Sequence, residues 1–308
     1  MSPASWLLES VPNFSEGRSE ERVRAIAGAA SRVPGVWTLD LSSDSDHNRS
    51  VLTLAGPPQP LRQALLALIE QAILSIDLRR HSGQHPRLGA VDVVPLIPLG
   101  EATLEACVAE ARVLGAEVAG RFRLPVFLYE AAAASPQRRN LADVRRGEFE
   151  GLADKMRSPE WKPDFGPAEP HPTAGAVAIG ARKPLVAFNV NLGTTDLKVA
   201  KSIAREIREA SGGMPAVKAL GLDLQERGMV QVSMNLTDFE RTAPLAALER
   251  ILKLAAGRGV EVAESELVGL VPAAALPADP VHALRLAGFD RSQILENRLE
   301  QVRARGSR

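Results

Sequence analysis

One stretch decides the fold of this chain: Ala90-Val91-Asp92-Val93-Val94-Pro95-Leu96-Ile97-Pro98-Leu99. Nearly all of its side chains are apolar, whereas a strand with one face in water alternates apolar and polar residues. Such an unbroken run is typical of a strand that is covered on both faces. The stretch therefore predicts the central strand of a sheet.

Helices and strands alternate on both sides of this strand. The apolar spacing predicts a helix over 61–76 before it and a helix over 104–120 after it. The other elements predicted for the first half are strands at 6–11, 36–41, 50–54 and 125–129 and a helix at 20–31. The first half therefore follows a β-α-β-β-α-β order, with a further helix and strand after it.

The second half repeats this order. Its predicted elements are strands at 185–191, 217–224, 230–236 and 260–267 and helices at 196–210 and 245–256. Neither a Gly-x-Gly-x-x-Gly turn after the first strand nor a phosphate-binding P-loop occurs, which disfavours a standard nucleotide fold. Split β-α-β units with antiparallel pairs fit better.

The pattern therefore predicts an α/β fold of the α+β type, built from two similar subdomains with mixed sheets and helices packed on them. We place the first subdomain at 1–175 and the second at 176–308. The segment 138–175, which contains five prolines and Trp161, is expected to be an ordered crossing between the two domains.

Composition excludes several classes of protein. The chain has 308 residues, with 37 basic and 37 acidic side chains, so it lacks the basic excess typical of nucleic-acid binders. Its single cysteine, Cys107, rules out an intrachain disulfide and is expected to be a buried structural thiol. No apolar stretch is long enough to span a membrane, and residues 1–6 do not resemble a signal peptide. We expect a cytoplasmic protein.

The candidate chemistry lies just before the central strand, in residues 79–89. His81 and His85 lie there with three arginines, and glycine and proline keep the segment out of helix. Histidine suits proton transfer near neutral pH, and arginine binds carboxylates through two parallel hydrogen bonds. A metal pair formed by His81 and His85 is disfavoured by Gly83 and Pro86. A surface loop with incidental histidines is the alternative.

Two other clusters could bind ligands. The first is rich in acidic groups and could hold a cation or be a solvated turn; it comprises Asp40, Asp44, Asp46, His47, Asn48 and Arg49. The second, at 164–175, has glycines near both ends that let the backbone approach a flat ligand, with Phe165 or Trp161 available for stacking. A plain ordered connector is the alternative for this second cluster.

Several long motifs resemble one family, the glutamate formimidoyltransferases. They lie, in family order, at 11–17, 46–50, 85–95, 161–167, 180–183, 188–192, 231–236 and 267–272. The resemblance runs from Leu8 to Leu299, which is nearly the whole chain. It implies transfer of the formimidoyl group of N-formimidoyl-L-glutamate to tetrahydrofolate in histidine degradation, without a metal. It also implies two α/β subdomains with folate held between them, and a homodimer that binds neither nucleic acid nor membrane.

The resemblance also implies roles for individual residues. The catalytic histidine of the family precedes Pro-Arg, which makes it His85 here. The candidate substrate contacts are Arg87, Asn48 and Asn189. The folate-binding residues fall on Gly166, Pro167, Ala168, Glu169, Pro170, His171, Pro172, Thr173, Ala174 and Gly175.

The chain departs from the relatives in two places. Gln84 stands before His85 where the family usually has Glu. The sequence also ends at Arg308, whereas the mammalian relatives continue into a cyclodeaminase domain, so a stand-alone form is expected.

Two other functions remain open at this point. The same fold could carry formyl transfer between 5-formyltetrahydrofolate and glutamate. A folate-binding protein without turnover is the second alternative, and the histidine segment speaks against it because storage needs no proton transfer.

We predict that kcat/KM rises with pH through an ionisation of His85 at or below about 6.5, because neighbouring positive charge disfavours the imidazolium. Gln84→Glu should move that ionisation upward, since an adjacent carboxylate stabilises the imidazolium. Comparing the pH–rate profiles of the two proteins tests this. Identical profiles would mean that residue 84 points away from His85 and that a distant acid, Asp40 or Asp46, sets its protonation.

Overall fold

Buried strands and amphipathic helices alternate along residues 6–306, the part of the chain that the computed structural model describes. The chain divides into two units, Met1–Arg182 and Lys183–Arg308. The expected α/β class is confirmed. Of the first six residues, in which no signal peptide is expected, 1–5 lie outside the described part.

The first unit contains one sheet and five α-helices within the described range. Its strands are β1 (Trp6–Ser10), β2 (Asn13–Phe14), β3 (Trp37–Asp44), β4 (Arg49–Gly56), β5 (Val91–Gly100), β6 (Val126–Glu130) and β7 (Val177–Ala181). Its helices are α1 (Glu20–Ser31), α2 (Pro58–Ser75), α3 (Leu104–Phe122), α4 (Leu141–Arg145) and α5 (Glu148–Lys155).

The predicted central strand is confirmed as β5. It pairs with β1 and β2 in antiparallel on one side and with β7 in parallel on the other. β1 and β2 both lie between β4 and β5, because Pro12, which has no N–H to donate, interrupts one strand position. β3 pairs with β4 at one edge, and β6 pairs with β7 at the other. The sheet is therefore mixed.

Both faces of the sheet are covered. Val91, Val94 and Leu96 of β5 pack in one apolar cluster with α1, α2 and α3. Val93 points to the opposite face, into a second cluster with Phe127 and with residues of α4 and α5. This explains why the stretch 90–99 lacks alternation.

The segment 138–175 is ordered, as expected, but it is not a crossing between two domains. It connects β6 to β7 within the first sheet, and α4 and α5 cover the second face of that sheet. For the same reason the first unit extends through β7 to Arg182, beyond the boundary that we placed between residues 175 and 176.

The second unit has a four-stranded sheet that is antiparallel throughout. Its elements are β8 (Val186–Leu192), α6 (Leu197–Ile207), β9 (Val217–Leu224), β10 (Met229–Leu236), α7 (Pro244–Ala256), β11 (Val262–Val268), α8 (Pro280–Leu284) and α9 (Leu295–Gly306). The strand order β11-β8-β10-β9 equals the order β5-β1-β4-β3 of the first unit. The predicted similarity of the two halves is thus confirmed by their topology.

Among the described helices, none combines the length and apolar character that a membrane span requires.

A substitution at Gly89, directly before β5, tests how closely this residue packs against the backbone of Ala176. A Cβ added there would lie 1.8 Å from the carbonyl oxygen of Ala176. We expect Gly89→Ala to lower the free energy of unfolding by about 1–3 kcal/mol or to prevent folding, because overpacked backbone cannot relax cheaply. Urea denaturation measures this.

The matched control is Gly28→Ala, in the middle of α1, where an added Cβ meets nothing within 4 Å. Alanine favours helix over glycine by about 1 kcal/mol, so this variant should be slightly more stable than the wild type. If Gly89→Ala and Gly28→Ala had equal free energies of unfolding, the close packing of Gly89 against Ala176 would be contradicted.

Candidate active site

The histidine segment, residues 79–89, is held at both ends by the predicted folate-binding segment, residues 166–175. The N–H of Leu78 donates to the carbonyl of Thr173 (2.8 Å), and the N–H of Ala90 donates to the carbonyl of Ala174 (3.0 Å). Gly89 also forms a β-bridge with Gly175. Two segments that are far apart in sequence are therefore neighbours in the first unit.

The turn between β3 and β4 packs against the middle of the histidine segment. The N–H of Gln84 donates to the carbonyl of Asp46 (3.1 Å). A Cβ on Gly83 would lie 2.2 Å from the carbonyl oxygen of His47, so only glycine allows this approach. The side chain of Gln84 is exposed, and the effect of Gln84→Glu stays a prediction.

Asn48 joins three segments through its side chain. Its Oδ1 accepts a hydrogen bond from the N–H of Gly17 (3.0 Å), and its Nδ2 donates to the carbonyl of Ser82 (3.0 Å). The residue is buried and has a φ of 49°, in the left-handed region that asparagine tolerates. Both polar groups of its amide therefore bind backbone within the protein.

His81 is fixed as a neutral imidazole. Its Nε2 donates to the carbonyl of Asn48 (2.9 Å), because its Nδ1 accepts a hydrogen bond from Nε of Arg87 (3.1 Å). Burial lowers the pKa of His81, which favours the same neutral form.

Arg87 is buried and fully engaged. Its Nη1 lies 2.9 Å from a carboxylate oxygen of Glu148, and its Nη2 lies 2.6 Å from one of Glu150, both on α5. Together with the bond to His81, these contacts tie α5 to the histidine segment.

His85 is half-buried, and its ring lies edge-on to that of His47 with 6.4 Å between the ring centroids. Burial, followed by the positive charges of Arg145 and Arg49, lowers the pKa of His85 to about 3. A lowered pKa of His85 was expected, but from the arginines of the histidine segment. The arginines that lower it lie on α4 and β4 instead. His85 is therefore an uncharged imidazole that can accept a proton.

Arg145 is positioned by a buried carboxylate. Its Nε donates to Oδ2 of Asp92 (2.8 Å), whose Oδ1 accepts a hydrogen bond from the N–H of Leu88 (2.7 Å). Sequence reasoning missed both partners. Asp92 is the only charged residue in the apolar run 90–99, and that could have shown that a buried cation must pair with it.

Arg49 differs from these arginines. It stands at the start of β4, and its Nε is buried without a hydrogen-bond partner. Burial and the charge of Arg145 lower its pKa.

The predicted folate-binding segment forms a closed loop. His171 and Gly175 exchange two backbone hydrogen bonds of 2.8 and 2.9 Å, and Nδ1 of His171 accepts from the N–H of Ala174 (3.1 Å). Ala168 and Glu169 are exposed. The loop is thus rigid at its closed end and open to solvent in its middle.

The two aromatic rings near this loop already have partners. Phe165 packs against the core of the first unit, where Gly115 leaves room for its ring. Lys155 places its ammonium 3.8 Å from the centroid of the Trp161 ring. Their proposed role in stacking is therefore not favoured by their contacts.

Asn189 lies in the second unit, on β8. Its Nδ2 donates to Glu266 (3.1 Å), and Gln231 donates to both Glu266 (2.8 Å) and Asn191 (2.9 Å). These groups form an amide and carboxylate network on the sheet of that unit.

The acidic cluster around 40–49 agrees with a solvated turn. Oδ1 of Asp44 accepts hydrogen bonds from the N–H groups of Asp46 and His47. Over residues 6–306, no group of three or more His, Cys, Asp or Glu side chains has the geometry of a metal site. Cys107 is buried, and burial raises the pKa of its thiol to about 12, as expected for a structural cysteine.

Comparisons with known proteins agree with the earlier resemblance. The N-terminal subdomain of the formiminotransferase domain matches residues 7–182, and the formiminotransferase domain matches residues 187–285. The glutamate formimidoyltransferase of Streptococcus pyogenes serotype M1 is 43% identical over 294 residues, which are 95% of this chain and 98% of that protein. The glutamate formimidoyltransferase of Thermoplasma acidophilum is 44% identical over 298 residues, 96% and 98% of the two chains. The formimidoyltransferase-cyclodeaminase of Rattus norvegicus is 41% identical over 88% of this chain and 51% of its own length.

We expect the imidazole of His85 to stay neutral as the pH falls through 6.5, since its pKa is about 3. The unfolded chain binds this proton at about 6.5, so the folded state loses stability as the pH falls from there towards 3. An NMR titration of the imidazole measures the first effect directly.

Urea unfolding of the wild type and of His85→Gln between pH 7 and pH 4 measures the second effect. The wild type should lose stability more steeply than the variant. An imidazole that titrates near 6.5, or equal slopes in the two proteins, would contradict the assignment.

Proposed function

The chain belongs to the formiminotransferase family, and from this premise we propose that it transfers the formimidoyl group of N-formimidoyl-L-glutamate to tetrahydrofolate. The products are 5-formimidoyltetrahydrofolate and L-glutamate. One observation carries the proposal: an uncharged, half-buried imidazole, His85, lies in a segment that is hydrogen-bonded to the proposed folate-binding loop.

His85 is proposed to move one proton in each half of the reaction. The secondary amine of tetrahydrofolate attacks the carbon of the protonated amidine and forms a carbon–nitrogen bond, while the electron pair of the carbon–nitrogen double bond moves to the terminal nitrogen. The attacking amine then gives its proton to His85. In the tetrahedral intermediate, His85 returns the proton to the glutamate nitrogen. The lone pair of the terminal nitrogen re-forms the carbon–nitrogen double bond, the bond from the carbon to the glutamate nitrogen breaks, and L-glutamate leaves with a neutral amine.

The base must be unprotonated before the first step. Burial and the charges of Arg145 and Arg49 keep His85 in that form across the physiological pH range. His81 is unsuited to the same role, because both of its ring nitrogens are engaged with Asn48 and Arg87.

The proposed folate contacts are residues 166–175. Their support is the closed loop of this segment and its hydrogen bonds to both ends of the histidine segment. We propose that Asn48 and Arg87 hold the histidine segment in place, since their polar groups are occupied within the protein. Asn189 remains a proposed substrate contact.

The resemblance supports three further proposals: a place in histidine degradation, a cytoplasmic location and a homodimer.

An assay separates the proposed reaction from formyl transfer. Purified protein is mixed with tetrahydrofolate and either N-formimidoyl-L-glutamate or N-formyl-L-glutamate, and the absorbance of the folate product is followed. Turnover only with the formyl donor would contradict the proposal.

We expect His85→Ala to lower turnover by about 100- to 10,000-fold while tetrahydrofolate still binds, because that range is typical for loss of a general acid–base group. Steady-state kinetics and a folate-binding titration measure the two effects.

His81→Ala is the matched control on the same segment, and its loss of turnover should be smaller. Activity of His85→Ala within about tenfold of the wild type, well below that range, would remove His85 from the mechanism.

A further inference from the structure

Arg49 is a half-buried cation with a buried Nε, and no carboxylate in the described part of the chain pairs with its charge. Its Nε has no hydrogen-bond partner, and no ion pair involves its guanidinium. Asp44 and Asp92 act on Arg49 through their charges, but other groups occupy both carboxylates. Asp44 binds the ring of His47 (2.7 Å), and Asp92 binds Arg145 and the N–H of Leu88.

Two other arginines at the histidine segment are paired with carboxylates. Arg87 has two carboxylates, from Glu148 and Glu150, and Arg145 has Asp92. Arg49 adds a positive charge close to His85 that no carboxylate in the described part of the chain pairs. A buried and unpaired charge is costly, so proteins retain one where a ligand completes the pair.

The backbone of Arg49 is fixed tightly. A Cβ on Gly17 would lie 2.6 Å from its nitrogen, so the loop before α1 packs directly on it. Its neighbour Asn48 is anchored by the hydrogen bonds described above. The guanidinium is therefore presented from a rigid part of the site, which favours specific binding.

We propose that Arg49 is the receptor for a glutamyl carboxylate of the bound substrates, beside His85. The proposal rests on the proposed function, in which both N-formimidoyl-L-glutamate and the tail of tetrahydrofolate carry such a carboxylate. A planar carboxylate matches the fork of a guanidinium and supplies the missing negative charge.

Binding of this carboxylate has a consequence for His85. The positively charged groups near His85 are Arg145 from α4 and Arg49 from β4, whereas His47 and His81 oppose its protonation only in their own charged forms. A carboxylate on Arg49 offsets part of this charge, so His85 becomes a stronger base once the substrate is present. The site would then accept a proton mainly when it is loaded.

The first test measures binding by calorimetry with L-glutamate, the product, and with glutaramide, a diamide of similar size that has no carboxylate. The proteins are the wild type, Arg49→Gln, Arg49→Lys and, as a matched control, Arg80→Gln, which changes an exposed arginine of the histidine segment. We expect glutamate to bind the wild type and Arg80→Gln equally, and to bind Arg49→Gln about 10- to 100-fold more weakly, as expected for loss of charged hydrogen bonds. Arg49→Lys should be intermediate, and glutaramide should not distinguish the proteins.

A second readout separates a binding role from a structural one. Because no ion pair holds the guanidinium of Arg49 within residues 6–306, Arg49→Gln should unfold at the same or a higher temperature than the wild type without ligand. In the wild type, NMR should show the pKa of His85 rising when glutamate binds, and this rise should be absent in Arg49→Gln.

Steady-state kinetics show which of the two substrates carries the carboxylate that binds Arg49. A higher KM of Arg49→Gln for N-formimidoyl-L-glutamate assigns Arg49 to the donor. A higher KM for tetrahydrofolate that disappears with tetrahydropteroate, which lacks the glutamate tail, assigns it to the acceptor.

The proposal is overturned if Arg49→Gln binds glutamate and both substrates within about twofold of the wild type, or if the variant is destabilised and Arg49→Lys behaves normally. These results differ from failure of the proposed function. In that case the wild type would show no formimidoyl transfer, whereas glutamate binding would still depend on Arg49.

Discussion

The buried carboxylate of Asp92 needs hydrogen-bond donors and a positive charge beside it. The groups that supply them fix the positions of the histidine segment and of α4. Asp92 is 1% exposed and lies in the central strand of the first sheet. One of its oxygens accepts the N–H of Leu88, at the end of the histidine segment, and the other accepts Arg145 from α4. Removing Arg145 would leave the carboxylate charge unpaired in an apolar layer, which typically costs about 3–5 kcal/mol. One carboxylate thus joins the sheet, the histidine segment and the helix that carries a positive charge to His85.

The positive charge around His85 arises because some of the neighbouring arginines are paired with carboxylates and Arg49 is not. Arg87 and Arg145 have carboxylates, but Arg49 has none in the described chain, so the surroundings of His85 carry excess positive charge. Together with burial, this excess lowers the pKa of His85 and keeps the imidazole neutral. In the proposed function, the same positive charge would also favour a substrate that carries a carboxylate.

The strands and helices could be predicted from sequence because local periodicity reports burial. The apolar run 90–99 identified β5, and the repeated element order identified the topology of the second unit. Two ion pairings could not be predicted: that of Arg145 with Asp92, and that of Arg87 with Glu148 and Glu150. Their partners are more than fifty positions apart, and the periodicity of a sequence reports only on residues that are close together in the chain. The segment 138–175 was assigned to the wrong connection for a similar reason. Its prolines indicated order, but nothing local indicated that β7 returns to the first sheet.

The two units share a strand order but differ in what covers their sheets, and this difference changes the surroundings of their histidines. In the first unit, the extension through β6 and β7 brings α4, α5 and the proposed folate segment around the histidine segment. In the second unit the corresponding strands carry amides and carboxylates, and its histidine, His282, is exposed and bonded to Asp279. An amide network can orient a polar ligand but cannot exchange a proton near neutral pH. The insertion after β5 therefore supplies Arg145, one of the charges that act on His85, and the second unit has no counterpart of this arrangement among its described residues.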